Sequence, residues 1–154
     1  FQTPPTKILF LCHGNICRSP FAQYYWNTKV WNPSLRGPIA ASAGFYPKDG
    51  RKSPTRIVDI AAKNGIDLTR HRSCVVSKAE IESADMIFVM DRKNYRNLKK
   101  LFPDGKRKTY FLGMFNDDGG IEIDDPYDMS RSRAEVCFEQ LIKSLDGLAN
   151  LIMS

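Results

Sequence analysis

The feature that most constrains the fold is the alternation of short apolar runs with amphipathic segments along the 154 residues. The apolar runs cover residues 7–11, 37–44, 86–90 and 109–112, and segments of helical spacing begin at Ser19, Thr55, Ser77, Asp91 and Arg133. Short continuous apolar runs are typical of parallel strands buried on both faces, and their alternation with helices predicts right-handed βαβ crossovers. We therefore predict one α/β domain over residues 5–154.

The predicted architecture is a doubly wound, four-stranded parallel sheet with helices on both faces and the flavodoxin-like strand order 2-1-3-4. Local signals predict several helix ends, namely a start at Ser19-Pro20, a stop at Asn64-Gly65 and a capping box from Ser77 to Glu80. The helical spacing also predicts that Leu101, Val136 and Leu151 face the core. Ligands of such sheets bind at the carboxyl ends of the strands, where the loop after the first run lies.

Charge and cysteine content narrow the class of protein. Lys and Arg exceed Asp and Glu by six, which favours anionic partners without choosing among them. The apolar run 8–12 is too short for a membrane span or a signal peptide, so we expect a cytoplasmic protein. Four irregularly spaced cysteines do not make a disulfide framework and are interpreted as thiols.

The loop at residues 12–20 reads CHGNICRSP and allows several interpretations. A metal clip is disfavoured, because Cys12 and Cys17 are separated by four residues and no second ligand pair lies nearby. A Walker-type nucleotide loop needs two glycines and a lysine before its serine, whereas here only Gly14 precedes Arg18. A small buried cysteine at a strand end is a third possibility and would be preferred for a lone cysteine.

Four features of the loop together favour a nucleophile with its own anion clamp. Cys12 ends a strand before a helix N-terminus, where N–H groups and the helix dipole stabilise an anion, so we expect a thiolate near neutral pH. Arg18 can close a ring of loop amides around a tetrahedral oxyanion. Gly14 and Asn15 tolerate the left-handed backbone angles that such a ring requires. The Ser19 hydroxyl can donate to the Cys12 sulfur.

Residues 12–20 resemble the signature loop of the low-molecular-weight protein tyrosine phosphatases, C-x-G-N-x-C-R-S-P, at every fixed position. The resemblance extends along the chain through Ser42-Ala43-Gly44, Gly65-Ile66-Asp67-Leu68, Met90-Asp91 with Asn94, and Asp125-Pro126-Tyr127. It implies a metal-independent and cofactor-free phosphatase that hydrolyses phosphotyrosine and aryl phosphates through a phosphocysteine. Cys12 would be the nucleophile, Arg18 the phosphate clamp and Ser19 the hydroxyl that assists the sulfur. The phosphate-binding loop would be completed by His13, Gly14, Asn15, Ile16 and Cys17.

The departing phenolate needs a proton, and the loop contains no plausible donor. The acidic run near residue 120 offers Asp125, which is followed by a proline that stiffens the turn and by Tyr127, which could flank a substrate ring. Asp124 is the rival at the adjacent position, and a merely solvated acidic run is the alternative for the whole stretch. The resemblance assigns the general acid to Asp125, which then serves as base when water attacks the phosphocysteine.

The resemblance also implies residues that support the site. Ser42 and His71 would hydrogen-bond to Asn15 and hold the loop in shape. Asp91 would support the general-acid loop or the helix that follows it, and a plain N-cap explains the same residue.

Two further expectations concern the rim of the site. An aromatic residue would form one wall of the substrate cleft, and either Tyr46 or Phe45 fits that place. Cys17 would form a reversible disulfide with Cys12 that shields the nucleophile from over-oxidation, with packing beneath the loop as its alternative role.

The expected partners are phosphotyrosine-containing proteins or aryl phosphates, with inorganic phosphate, vanadate or sulfate as active-site anions. We expect a monomer with no nucleic-acid and no membrane partner. An arsenate reductase of the same fold is one rival, although it needs a further pair of closely spaced cysteines, and Cys74 and Cys137 are far apart in sequence. The other rival is a phosphotyrosine-binding module without turnover, suggested by the basic stretch 92–108, whose spacing is more typical of a solvated helix surface.

Overall fold

The computed structural model describes residues 4–32, 34 and 37–153. Four strands form one sheet in the order β2-β1-β3-β4, and every neighbouring pair is parallel. The strands are β1 (Lys7–Cys12), β2 (Ile39–Gly44), β3 (Met86–Val89) and β4 (Thr109–Phe111). The α-helices are α1 (Arg18–Tyr25), α2 (Thr55–Lys63), α3 (Lys78–Ser83), α4 (Arg92–Leu101) and α5 (Arg131–Met153). The predicted fold class and strand order are confirmed.

Shorter helical segments complete the chain between these elements. A π-helical turn, Trp26–Val30, extends α1, and two 3-10 segments, Pro103–Lys108 and Leu112–Phe115, flank β4. The sheet and its helices take in the chain from Lys7 to Met153, and the last residue of the predicted domain, Ser154, lies outside the described residues. No helix in the described ranges combines the length and the apolarity that crossing a membrane requires.

The central strand β1 is buried on both faces, as a parallel strand covered by helices must be. Its even-numbered residues, such as Phe10, join a cluster with Phe21 of α1 and Phe138 of α5. Its odd-numbered residues, such as Leu9, join a second cluster that includes Leu98 of α4. Helices therefore cover both faces of the sheet, and the strand ends are held rigidly from both sides.

Several predicted helix ends are confirmed at their sequence signals. Helix α2 ends at Lys63 with Asn64 as its C-cap, and Gly65 follows with a φ of 77°, the left-handed conformation that glycine adopts without strain. Ser77 and Glu80 form both hydrogen bonds of a capping box at the start of α3.

Three residues predicted to face the core are exposed instead. Val136 is 54% exposed because it lies two positions before the buried Phe138, on the opposite side of α5. Leu101 and Leu151 keep the helical spacing but fall in the last turns of α4 and α5, and they are 56% and 61% exposed. The apolar face of α5 is formed by Ala134, Cys137, Phe138, Leu141, Leu145 and Leu148.

Candidate active site

The loop of residues 13–17 joins the carboxyl end of β1 to α1, next to the carboxyl end of β2. Cys12 and Gly44 are register partners at these two strand ends. A Cβ at Gly44 would lie 2.8 Å from the backbone nitrogen of Asn15, so only glycine permits this approach. The loop is thereby packed directly onto the end of the sheet.

Helix α1 begins at Arg18, two residues before the first helical residue that the Ser19-Pro20 signal predicts. Its N-cap residue is Cys17, whose side chain makes no capping hydrogen bond, so the prediction that Ser19 caps the helix is wrong. The physical reason is that the Ser19 hydroxyl is engaged elsewhere, 3.0 Å from the Cys12 sulfur. The uncapped first turn leaves its N–H groups directed at the loop.

The sulfur of Cys12 is buried and is surrounded by hydrogen-bond donors. The backbone N–H groups of Asn15 and Ser19 donate to it over 3.3 and 3.4 Å. The Asn15 side-chain amide donates to the Ser19 oxygen over 2.8 Å, so the single Ser19 hydrogen can be directed at the sulfur, 3.0 Å away, or at the more distant Ala43 carbonyl, 3.4 Å away. Three groups that can donate a hydrogen bond thus converge on this one sulfur atom.

Asn15 connects the loop to its surroundings. Its φ of 54° makes it the one non-glycine residue with a left-handed backbone in the described ranges. Its amide also donates to Ser42 Oγ over 2.9 Å, and its side-chain oxygen accepts from the Cys74 backbone N–H over 2.9 Å. Gly14 does not share this conformation, so the prediction for it is wrong. The space beside Gly14 is taken by Arg51, whose Nη2 would lie 2.9 Å from an added Cβ.

His71 and Ser42 both contact Asn15. The Nε2 of His71 lies 2.7 Å from the Asn15 carbonyl, which can only accept, so Nε2 carries the proton. Burial lowers the pKa of His71 against the opposing effect of this hydrogen bond, which favours the neutral ring. The Ser42 hydroxyl in turn donates a hydrogen bond to Gln23 Oε1 over 2.6 Å. Gln23 was not predicted, because nothing in the sequence links it to a strand 19 residues later.

The guanidinium of Arg18 is almost fully buried and is held from one side. Its Nη1 donates to Asp91 Oδ2 over 2.7 Å and to the Ile123 carbonyl over 2.8 Å. Burial lowers the pKa of Arg18, but the charges of Cys12 and Asp125 and the hydrogen bond to Asp91 outweigh it and raise the pKa overall. Asp91 also caps α4, its Oδ1 accepting from the backbone N–H of Asn94 over 2.8 Å. The cap was predicted, but the pairing of Asp91 with Arg18 was not.

The opposite edge of Arg18 and the loop amides form an anion cradle. Arg18 Nε is enclosed and has no acceptor in the described part of the chain, and Nη2 lies 3.6 Å from Asp125 Oδ2. The backbone N–H groups of Gly14, Ile16, Cys17 and Arg18 likewise have no acceptor within the described ranges. Such converging donors bind a tetrahedral oxyanion.

Cys17 differs from Cys12 although both lie in the same loop. Burial and the neighbouring charges of Cys12 and Asp125 raise the pKa of the Cys17 thiol far above its ordinary value, so it stays protonated. All four cysteines are free thiols in this structure, and the disulfide between Cys12 and Cys17 stays a prediction. No cluster of three potential His, Cys, Asp or Glu metal ligands occurs among the residues described.

The acidic segment before α5 brings one carboxylate to the pocket. Asp125 lines the pocket, and its Oδ1 accepts the Tyr127 N–H over 3.1 Å, which closes a tight turn around Pro126. Arg56 of α2 anchors this turn by donating to the Pro126 and Tyr127 carbonyls over 3.2 and 2.6 Å. Arg56 was not anticipated, since its partners are backbone atoms some 70 positions away.

The pocket above Cys12 has a volume of about 390 Å³, within the usual range for small-molecule sites. Its side walls include Ile16, Tyr46 and Tyr127. Phe45 is not part of the wall, because alternation along the chain turns it into the apolar cluster on the α4 side of the sheet. Of the two aromatic residues predicted for the cleft, only Tyr46 lines it. Asp124 does not line it either, whereas the adjacent Asp125 does.

A protein-family model described as low molecular weight phosphotyrosine protein phosphatase matches residues 7–153. The chain belongs to this family. Among the relatives of this phosphatase is the low molecular weight phosphotyrosine protein phosphatase of Schizosaccharomyces pombe, 32% identical over 147 residues, with 92% of this chain and 93% of that protein covered.

Solved structures show the same fold and two substrate classes. The Erwinia amylovora tyrosine phosphatase AmsI superposes with a TM-score of 0.88 at 26% identity, covering 100% of this phosphatase chain and 98% of its own. The YwlE arginine phosphatase of Geobacillus stearothermophilus superposes with a TM-score of 0.84 at 28% identity, covering 96% of this chain and 92% of its own.

We expect Asn15→Ala to loosen the phosphatase loop. Alanine disfavours the left-handed conformation and removes the amide that joins Ser19 to Ser42. The free energy of unfolding should fall by about 2–4 kcal/mol, and kcat for an aryl phosphate by about 10- to 100-fold. Thermal unfolding and steady-state kinetics measure both. Asn97→Ala on α4 is the matched control, and an Asn15→Ala enzyme with the same kcat as that control would contradict this role.

Proposed function

We propose that the chain is a protein tyrosine phosphatase that hydrolyses phosphotyrosine and aryl phosphates by double displacement through Cys12. The observation that carries this proposal is the position of the Cys12 sulfur. It receives three hydrogen bonds at the base of a pocket whose rim includes Asp125, beside a buried Arg18 with unused donors. Cys12 and Asp125 line this pocket, and Nη2 of the buried Arg18 lies 3.6 Å from Asp125 Oδ2, which supports the roles of nucleophile, proton donor and phosphate clamp for these three residues.

In the first step, a lone pair of the Cys12 thiolate attacks phosphorus, and the P–O bond to the phenol breaks. The electron pair of that bond goes to the phenolate oxygen, which takes a proton from the Asp125 carboxyl group. Arg18 and the loop N–H groups stabilise the charge on the equatorial oxygens, so the step calls for no metal ion. Ser19 holds the sulfur by its hydroxyl.

In the second step, water attacks the phosphocysteine and Asp125 accepts its proton. The P–S bond breaks, its electron pair returns to the sulfur, and inorganic phosphate leaves. The same three donors that hold the Cys12 thiolate before attack stabilise it as a leaving group here. Inorganic phosphate, vanadate and sulfate are expected to compete for the cradle, because each presents the same tetrahedral oxygens.

An arginine phosphatase is the second candidate, because two related structures and a 29% identical relative bear that name and because Asp125 and Asp128 line the pocket and could face a guanidinium. The apolar Ile16 and the aromatic Tyr46 and Tyr127 favour a phenyl ring instead. Comparing kcat/KM for phosphotyrosine and phosphoarginine decides between them. We expect phosphotyrosine to be the better substrate, and the reverse order would overturn the choice.

The role of Asp125 is tested with leaving groups of different basicity. Asp125→Asn should lower kcat/KM, which reports the steps up to P–O cleavage, by about 10²- to 10⁴-fold for alkyl-substituted phenyl phosphates, because their phenolates need a proton to leave. It should slow nitrophenyl phosphate much less, since that anion leaves unprotonated. Asp124→Asn is the matched control and should leave both rates near those of the original protein. An equal loss for all leaving groups would count against Asp125 as the acid.

A further inference from the structure

The lining of the pocket includes an arginine, Arg51, from the segment between β2 and α2. Its Nη2 donates to the Gly14 carbonyl over 2.8 Å, and its guanidinium carbon lies 4.1 Å from the centroid of the Tyr46 ring. These two contacts fix the guanidinium plane at the pocket, where Arg51 belongs to the lining.

Arg51 has no counter-ion in the described chain. Arg18 is paired with Asp91, and Arg92 with Glu122, whereas no carboxylate of the described chain lies within 4.0 Å of Arg51. Its Nε is enclosed without an acceptor, and its Nη1 makes no hydrogen bond to a described residue. A half-buried cation that lines a pocket in this state attracts an anion from outside.

A histidine also lines the pocket next to Tyr46. The ring of His13 stands edge-on to Tyr46 with centroids 5.9 Å apart, and its Nδ1 has no partner among the described residues. Burial and the charge of Lys93 lower the pKa of His13, Arg51 acts in the same direction, and Asp125 opposes them, so the neutral ring is favoured. The pocket lining therefore combines one unpaired arginine, Arg51, with two carboxylates, Asp125 and Asp128.

We propose that Arg51 forms a subsite for the carboxylate of an acidic residue next to the phosphotyrosine, so that acidic phosphopeptides are preferred substrates. This proposal rests on the proposed phosphotyrosine phosphatase function. The phosphoryl group occupies the cradle at Arg18, which leaves the peptide backbone at the pocket mouth, where Arg51 is the unpaired arginine of the described lining that a flanking carboxylate can meet. Repulsion from Asp125 and Asp128, which also line the pocket, disfavours other positions for that carboxylate.

The test measures binding of matched phosphotyrosine peptides that carry aspartate or asparagine at the two flanking positions. Fluorescence anisotropy with the Cys12→Ser protein gives each Kd without turnover. We expect the aspartate peptide to bind roughly 3- to 5-fold more tightly at low salt, with a preference that shrinks as salt is added. Arg51→Gln in the same background should bring the ratio toward one.

Lys106→Gln is the matched control, because it removes the same charge from the segment before β4, at the amino-terminal edge of the sheet. It should keep the ratio of the parent protein. Three results would overturn the subsite. They are equal affinity for the two peptides, a fall of the Kd ratio in the control as large as in Arg51→Gln, and failure to bind either peptide. If Arg51→Gln weakened the binding of both peptides by the same factor, Arg51 would not bind the flanking carboxylate, and its role would be limited to the hydrogen bond to the Gly14 carbonyl. Hydrolysis of the asparagine peptide by the protein with Cys12 intact separately decides the proposed function.

Discussion

Replacing Cys12 by serine should lower kcat for aryl phosphates by about 10⁴-fold or more. The serine hydroxyl is a far weaker nucleophile than a thiolate, and its hydrogen-bonding neighbours, the Ser19 hydroxyl and two backbone N–H groups, are not bases that could deprotonate it. Arg18 and the loop amides are unchanged, so affinity for inorganic phosphate should stay within about 10-fold. Steady-state kinetics and titration calorimetry measure the two quantities.

Cys74→Ser is the matched control for this variant. Its thiol donates to the Ser42 carbonyl over 3.3 Å, a bond that a serine hydroxyl can also make, and its side chain does not line the pocket. The control should therefore turn over at nearly the original rate. A Cys12→Ser protein that retained a tenth or more of the original kcat would show that the sulfur is not the nucleophile.

Replacing Arg18 by alanine should impair both binding and turnover, with a loss of kcat/KM of about 10³- to 10⁴-fold. The guanidinium supplies the only side-chain cation buried in the cradle, and it faces the oxygens of the ground state as well as those of the transition state. Phosphate affinity should fall along with kcat, in contrast to the Cys12→Ser protein. Arg18→Lys should recover part of the binding and little of the rate, because an ammonium cannot make the bidentate contact.

Loss of Arg18 also leaves Asp91 unpaired, and the free energy of unfolding should fall by about 2–4 kcal/mol. Circular dichroism and thermal unfolding establish that the variant is folded at the assay temperature. Arg92→Ala is the matched control, since Arg92 is the next arginine to form an ion pair here but does so with Glu122 at the surface. It should change stability and activity little. An Arg18→Ala protein that bound phosphate as well as this control would contradict the clamp.

The parts of the site that could be predicted are those whose residues lie close together in the sequence. Cys12, Arg18 and Ser19 lie within one loop, and the spacing of the loop itself determines that they face each other. The helix stop at Asn64-Gly65 and the capping box at Ser77 are local in the same sense, because each depends on residues at most three positions apart.

The residues that were missed act across the fold. Arg51, Arg56 and Gln23 contact backbone or side-chain atoms that are distant in sequence, and arginine or glutamine in a loop or helix carries no signal for such a partner. Asp91 was expected as a cap, but its second oxygen is used by Arg18 because β1 and β3 are neighbours in the sheet. Val136 was misplaced because an apolar residue need not be buried.

The most direct test of the phosphocysteine route is to identify the residue that carries phosphate during turnover. The protein is mixed with a phosphorus-labelled aryl phosphate, quenched within one turnover and digested, and the labelled peptide is sequenced by mass spectrometry. Asp125→Asn, which slows the attack of water, should raise the trapped fraction. We expect the label on the sulfur of Cys12 alone. A label on another residue, or full turnover with no labelled enzyme at any time, would contradict it.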